Sequence, residues 1–106
     1  MSDDPNRQTS QITLRALEGR PLENQQVRNM VIATAAAIAE RQGVNLLAIK
    51  PEADRVTVTL DVGQLEILGF AAELRRLTTR WYTQKYGAAT LWGDAPAEDG
   101  EEWKQS

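Results

Sequence analysis

VNLLAIKPEADRVTVTLDV, residues 44–62, reads as two strands joined by a short loop. From Arg55 to Val62 the residues alternate without a break. Val56, Val58, Leu60 and Val62 fall on one side, Thr57, Thr59 and Asp61 on the other. A period of two rich in β-branched residues marks a half-buried strand. Val44–Lys50 supplies its neighbour, and Pro51-Glu52-Ala53-Asp54 suits a type I turn between them. A four-residue loop sets Ile49 opposite Val56 and Leu47 opposite Val58 on the core face. Leu46 and Ala48 then fall on the outer face beside Thr57 and Thr59.

Working outward, Gln11–Leu17 (QITLRAL) is a third strand, with Ile12, Leu14 and Ala16 on one face and Thr13 and Arg15 on the other. Between it and the hairpin lies a helix ending near Gln42. Its buried stripe is Val27, Met30, Val31, Thr34 and Ile38. Asn24 is its N-cap, with Pro21 a rival start, and Gly43 its C-cap. Ala33, Ala35, Ala36 and Ala37 allow close approach to the sheet. Gly63 opens a second helix and Gly87 closes it; its stripe is Ile67, Phe70, Ala71, Leu74, Leu77, Thr78 and Trp81, which places Phe70 and Trp81 in the core. Gly69 interrupts that helix at about 1 kcal/mol relative to Ala, either for a close approach or as a tolerated cost.

Ala89–Trp92 is a candidate fourth strand. With it the order is βαββαβ, which resembles the ferredoxin-like arrangement. Without it three strands lie under two helices. The expected fold is α/β (α+β), a two-layer sandwich in either case, and no motif names a family within it.

Composition removes whole classes of chemistry. The 106 residues hold 15 Asp+Glu, 12 Lys+Arg, and neither His nor Cys. Disulfides, thiolate nucleophiles, zinc fingers and Ser-His-Asp triads are therefore absent. The net charge of −3 is uneven. Residues 94–106, DAPAEDGEEWKQS, carry −4, residues 1–10 carry −1, and residues 11–93 carry +2. Both ends are polar, contain Pro and lack hydrophobic period, so they read as disordered tails around one domain at 11–93. The polar start has no signal-peptide character, and Met30–Ala39 is too short to span a membrane, so the expected compartment is the cytoplasm.

Three features are candidate surfaces. From Arg75 to Tyr86 the second helix carries Arg75, Arg76, Arg80 and Lys85 with Trp81, Tyr82 and Tyr86 and no acid. Cations beside rings suit phosphates and exposed bases. The plainer reading is a helix end whose cations complement its dipole, with Glu73 and Arg76 in an ion-pair row. The sheet's outer face is the second: Thr13, Arg15, Thr57 and Thr59 carry none of the rings that RNA-recognition domains place there, and Leu46 with Leu17 suits a covering partner. Trp103, alone in the acidic tail, is the third, as a docking residue or simply a tail residue.

Catalysis finds little support. Glu66 and Glu73 share a helix face about 10 Å apart along the axis, but a small domain has little room for the cleft such a pair needs. Neither GxGxxG, GxxxxGK[ST] nor a D-x-D-x-D-G cluster occurs. No enzyme activity, cofactor, metal or membrane is expected. The first reading is a protein-interaction module that assembles with itself, as a homodimer, or with a protein partner. A nucleic-acid-binding domain using the basic helix end is the alternative, disfavoured by a pI of ≈ 4.9. A small-molecule sensor is a third reading, by fold analogy alone.

Overall fold

The computed structural model describes residues 9–87 and 90–93. Its elements run β1 (Ser10–Arg15), a 3-10 turn (Pro21–Glu23), α1 (Gln25–Gln42), β2 (Leu46–Glu52), β3 (Arg55–Leu60) and α2 (Gln64–Tyr86). The strands form one antiparallel sheet in the order β1-β3-β2. Because β3 is antiparallel to both neighbours, β1 and β2 run parallel on either side of it. Its inner face buries Ile12, Leu14, Val56, Val58 and Leu60 against Val27, Val31, Ala35, Ile38 and Ala39 of α1 and Ile67, Phe70, Ala71 and Leu74 of α2. Each large side chain so buried contributes about 1.5–3 kcal/mol. This is the α+β sandwich that the alternation requires.

The fourth strand is not formed among the described residues. Ala89 lies outside them, and Thr90–Trp92 adds one isolated antiparallel bridge, Ala16↔Trp92. At the other end, Ser10 belongs to β1 rather than to a tail, and its hydroxyl donates to the Val62 carbonyl at 2.8 Å. The tails proper, residues 1–8 and 94–106 with Trp103, lie outside the described residues.

The hairpin register differs from the expected one. Ile49 pairs with Val58, Pro51 with Val56 and Leu46 with Leu60. Two changes produce this. The loop shortens to Ala53-Asp54, drawing Pro51 and Glu52 into β2, and a bulge inserts Leu47 between Leu46 and Ala48. Pro51 is tolerated because β2 is an edge strand and the pairing leaves its nitrogen on the outer side. The bulge turns Leu46 inward, half-buried against the core, so it does not lie on the outer face. The loop carbonyls are held too. Leu22 N–H donates to Ala53 O (3.0 Å) and Ala16 N–H to Asp54 O (2.9 Å).

Helix ends follow local chemistry. The Asn24 side chain accepts from Gln26 N–H (2.8 Å) and Val27 N–H (3.2 Å), while Pro21 starts the preceding 3-10 turn instead. Of the alanines at 33–37 only Ala35 is buried; Ala33, Ala36 and Ala37 face outward, and Ala39 takes an inner position. Met30 and Thr34 are half-buried, and Thr34 Oγ1 donates to Met30 O at 2.7 Å. In α2, Leu77 and Trp81 are half-buried, so Trp81 is a rim residue and not core. The reason is length. Twenty-three helical residues span about 35 Å, whereas a six-residue strand spans about 20 Å, so the end of α2 overhangs the sheet.

Two glycines give opposite expectations. A Cβ at Gly69 meets nothing within 4 Å, so Gly69 makes no close approach within this chain. Gly69→Ala should raise stability by about 0.5–1 kcal/mol. Gly43 caps α1 at φ +72, where open space does not relieve the backbone. Gly43→Ala should lower stability by about 1–2 kcal/mol. Urea midpoints of the two variants should move in opposite directions.

Candidate functional site

The two edges of the sheet are built differently. The outer edge of β2 is interrupted by the Leu47 bulge and by Pro51, with Lys50 between them. Bulges, prolines and lysines are the devices that keep strand edges from recruiting other chains. The far edge of β1 has none of them. Ser10–Leu14, SQITL, is regular, uncharged and without Pro, and the isolated bridge Ala16↔Trp92 follows it along the same edge.

That bridge is firmly held. Trp92 is 1% exposed and its Nε1–H donates to Thr78 Oγ1 at 2.8 Å. The Thr78 hydroxyl in turn donates to the Leu74 carbonyl, so the buried pair is satisfied. Gly93 N–H donates to Arg15 O (2.8 Å) and Leu17 N–H to Leu91 O (3.1 Å). The Arg75 guanidinium donates to Gly93 O at 3.0 Å. These bonds also fix which way β1's peptide groups face: odd-numbered residues present theirs to the far edge, even-numbered ones to β3.

The four bases of α2 do not form one surface. Arg75 is half-buried and bound to Gly93. Arg76 donates to Glu73 at 2.8 Å, and Arg41 of α1 reaches the same carboxylate oxygen at 3.2 Å, a link between the helices. Such partly exposed pairs contribute about 1 kcal/mol or less each. Arg80 and Lys85 remain at the overhanging end. There the Lys85 ammonium lies 5.7 Å from the Trp81 ring centre, and Tyr86 packs on Trp81 (6.1 Å) and Tyr82 (5.0 Å). Tyr86 is 44% exposed.

Nor do the candidate leucines meet. Leu17 is 55% exposed just past the end of β1, whereas Leu46 packs on the core at the opposite end of the sheet, beside Leu60. Between these ends the outer face is polar. Its cross-strand rows are Gln11/Thr59/Ala48, Thr13/Thr57/Lys50 and Arg15/Arg55/Glu52, with the Thr13 and Thr57 hydroxyls 3.1 Å apart. At its corner the Arg55 guanidinium, hydrogen-bonded to Asp54 at 3.1 Å, holds the Asp54 carboxyl below the usual carboxylate range. Leu65, 80% exposed in the first turn of α2, lies away from these rows.

No motif in the sequence marks the Thr78–Trp92 pair; the one signal is a Thr on an apolar stripe, a hydroxyl that needs a buried partner. Among the described residues no group of three acids is placed to hold a metal ion, and no helix is long and apolar enough to cross a membrane. No known protein family matches the chain, and no curated protein matches it.

Proposed function

We propose that this chain is a small non-enzymatic assembly module of the cytoplasm that joins a second copy of itself by pairing strands along the far edge of β1. The contrast between the two sheet edges carries this reading: one is guarded by a bulge and a proline, the other is regular and uncharged. A two-fold pairing centred on Ile12 matches the sides of the sheet, sets Gln11 into the outward hydrogen-bonding positions and leaves the Arg15–Gly93 bond intact. It also continues the inner apolar row, Ile12 meeting Ile12 of the second copy. In topology we read the fold as the ferredoxin-like split, its fourth strand reduced to the bridge at Trp92; the order β1-β3-β2 and the return to β1 support this.

The nucleic-acid reading draws on Arg80, Lys85 and the exposed part of Tyr86. It is weaker, because stacking a base there requires displacing Lys85 from Trp81 or Tyr86 from its neighbours. The sensor reading still rests on fold analogy.

The test uses a proline. Gln11 directs its N–H away from β3, so Gln11→Pro removes a far-edge donor without breaking the β1–β3 ladder. Sedimentation equilibrium of the full chain, up to about 1 mM, should show a monomer–dimer equilibrium for the native sequence and monomer for Gln11→Pro. A native chain monomeric throughout, or a variant that dimerises equally well, would overturn the proposal.

A further inference from the structure

The Arg75 guanidinium holds Gly93 O, and Gly93 N–H donates to Arg15 O, so α2 reaches the end of β1 near Arg75. Eleven more residues, Arg76–Tyr86, carry the helix about 16 Å farther. We propose that this overhang is a docking surface for an acidic peptide segment of a partner protein, one in which an apolar side chain stands between carboxylates. The proposal is independent of pairing through β1, because it uses a different element.

Position on the helix sets the pattern. The core-facing stripe of α2, Ile67, Ala71, Leu74 and Thr78, continues at the same spacing through Trp81, Tyr82 and Lys85. Trp81 and Tyr82 are half-buried there and Lys85 is exposed. A cation at a core-facing position adds nothing to a core. At about 100° per residue, Trp81 falls between Arg80 and Lys85 around the helix. The Lys85 ammonium lies 5.7 Å from the Trp81 ring centre, and Tyr86 packs edge-on against Trp81 and tilted against Tyr82. The surface therefore runs cation, ring, cation, with Tyr86 beside it, 44% exposed. Its complement runs acid, apolar residue, acid.

Charge and composition select the occupant. From Arg75 to Tyr86 the helix carries no acid, and Arg80 and Lys85 enter none of the ion pairs among the described residues. Arg75 and Arg76 are engaged by Gly93 O and Glu73. Two cations match two carboxylates, whereas a DNA-binding surface neutralises about 6–10 phosphates. The chain's net charge of −3 also repels a polyanion more than a short peptide. Trp, Tyr and Arg are the residues in which interface binding energy concentrates. Here they stand on the part of α2 that has outrun the strands.

The test titrates the full native chain with a blocked peptide Glu-Glu-Phe-Glu-Glu, its Gln-Gln-Phe-Gln-Gln counterpart and single-stranded oligothymidylate, following amide and indole resonances. The acidic peptide should shift the Trp81 indole and the Lys85 and Tyr86 amides. It should bind about tenfold more tightly than the Gln peptide, an advantage that shrinks as salt rises to physiological strength. Arg80→Gln/Lys85→Gln should lower its affinity about tenfold. Lys50→Gln, the loss of an exposed cation on the outer face of β2, should leave it unchanged. Both altered residues of the double variant are exposed, so its other resonances should stay in place and show that it is folded. Equal affinity for the two peptides, shifts centred away from the overhang, or no binding of the acidic peptide would overturn the proposal. Tighter binding of oligothymidylate than of the acidic peptide at these residues would also overturn it, in favour of the nucleic-acid reading.

Discussion

Trp92→Ala is expected to cost about 3–5 kcal/mol of stability, read as a lowered urea midpoint with an unchanged slope. Trp92 is among the largest fully buried side chains and the one that fixes the chain after α2 onto β1. Its loss leaves a cavity under α2 and removes the donor that Thr78 Oγ1 accepts. A domain of this size has about 4–12 kcal/mol of stability in all, so the variant should sit near the edge of folding. Trp92→Phe separates the two contributions. It keeps most of the volume, and Thr78 still donates to Leu74 O, so the cost should fall to about 1–2 kcal/mol. A loss below about 1 kcal/mol for Trp92→Ala would mean that the bridge is not anchored in the core.

Phe70→Ala should cost a similar amount, about 3–5 kcal/mol, whereas Trp81→Ala should cost only about 1–2. The larger ring has the smaller effect because of where α2 outruns the sheet. Phe70 is 1% exposed over the inner face, while Trp81 lies on the overhang with Lys85 beside its ring. Equal losses measured by calorimetry on both variants would place Trp81 back in the core and contradict the overhang. The comparison also bears on the basic helix end. A rim tryptophan that carries little stability is consistent with a surface role there, and one that carries much is not.

Elements whose signals are local were legible in the sequence. Unbroken alternation gave β3, and Asn24, Gly43, Gly63 and Gly87 marked the helix ends where the structure has them. What escaped depends on comparisons across the fold. Leu46-Leu47 is apolar at both positions, so alternation alone cannot say which residue is bulged. Pro51 is a loop residue by propensity and a strand residue only because β2 lies at an edge. Trp81 looks buried on a helical wheel; its exposure follows from the relative lengths of α2 and the strands. Trp92 stood in a run too short to show period, and its burial depends on a hydroxyl fourteen residues earlier.

The candidate site was legible in the same partial way. Four bases in twelve residues stand out in a sequence, but two of them are engaged, Arg75 by Gly93 O and Arg76 by Glu73. The contrast between the two edges of the sheet is invisible until the strand order is known, because SQITL is an unremarkable strand by composition. Leu17 and Leu46 were grouped by a shared face that the Leu47 bulge removes.

Pairing of two copies through β1 is tested most directly by contacts between chains. An equimolar mixture of isotope-labelled and unlabelled full-length chains, at a concentration where dimer is present, permits contacts between copies to be read separately from those within one. The expected result is an intermolecular cross-peak between the Ile12 α-protons, accompanied by contacts between Gln11 of one copy and Thr13 of the other. Intermolecular contacts confined to the outer sheet face or to the end of α2, with none at Ile12, would contradict it.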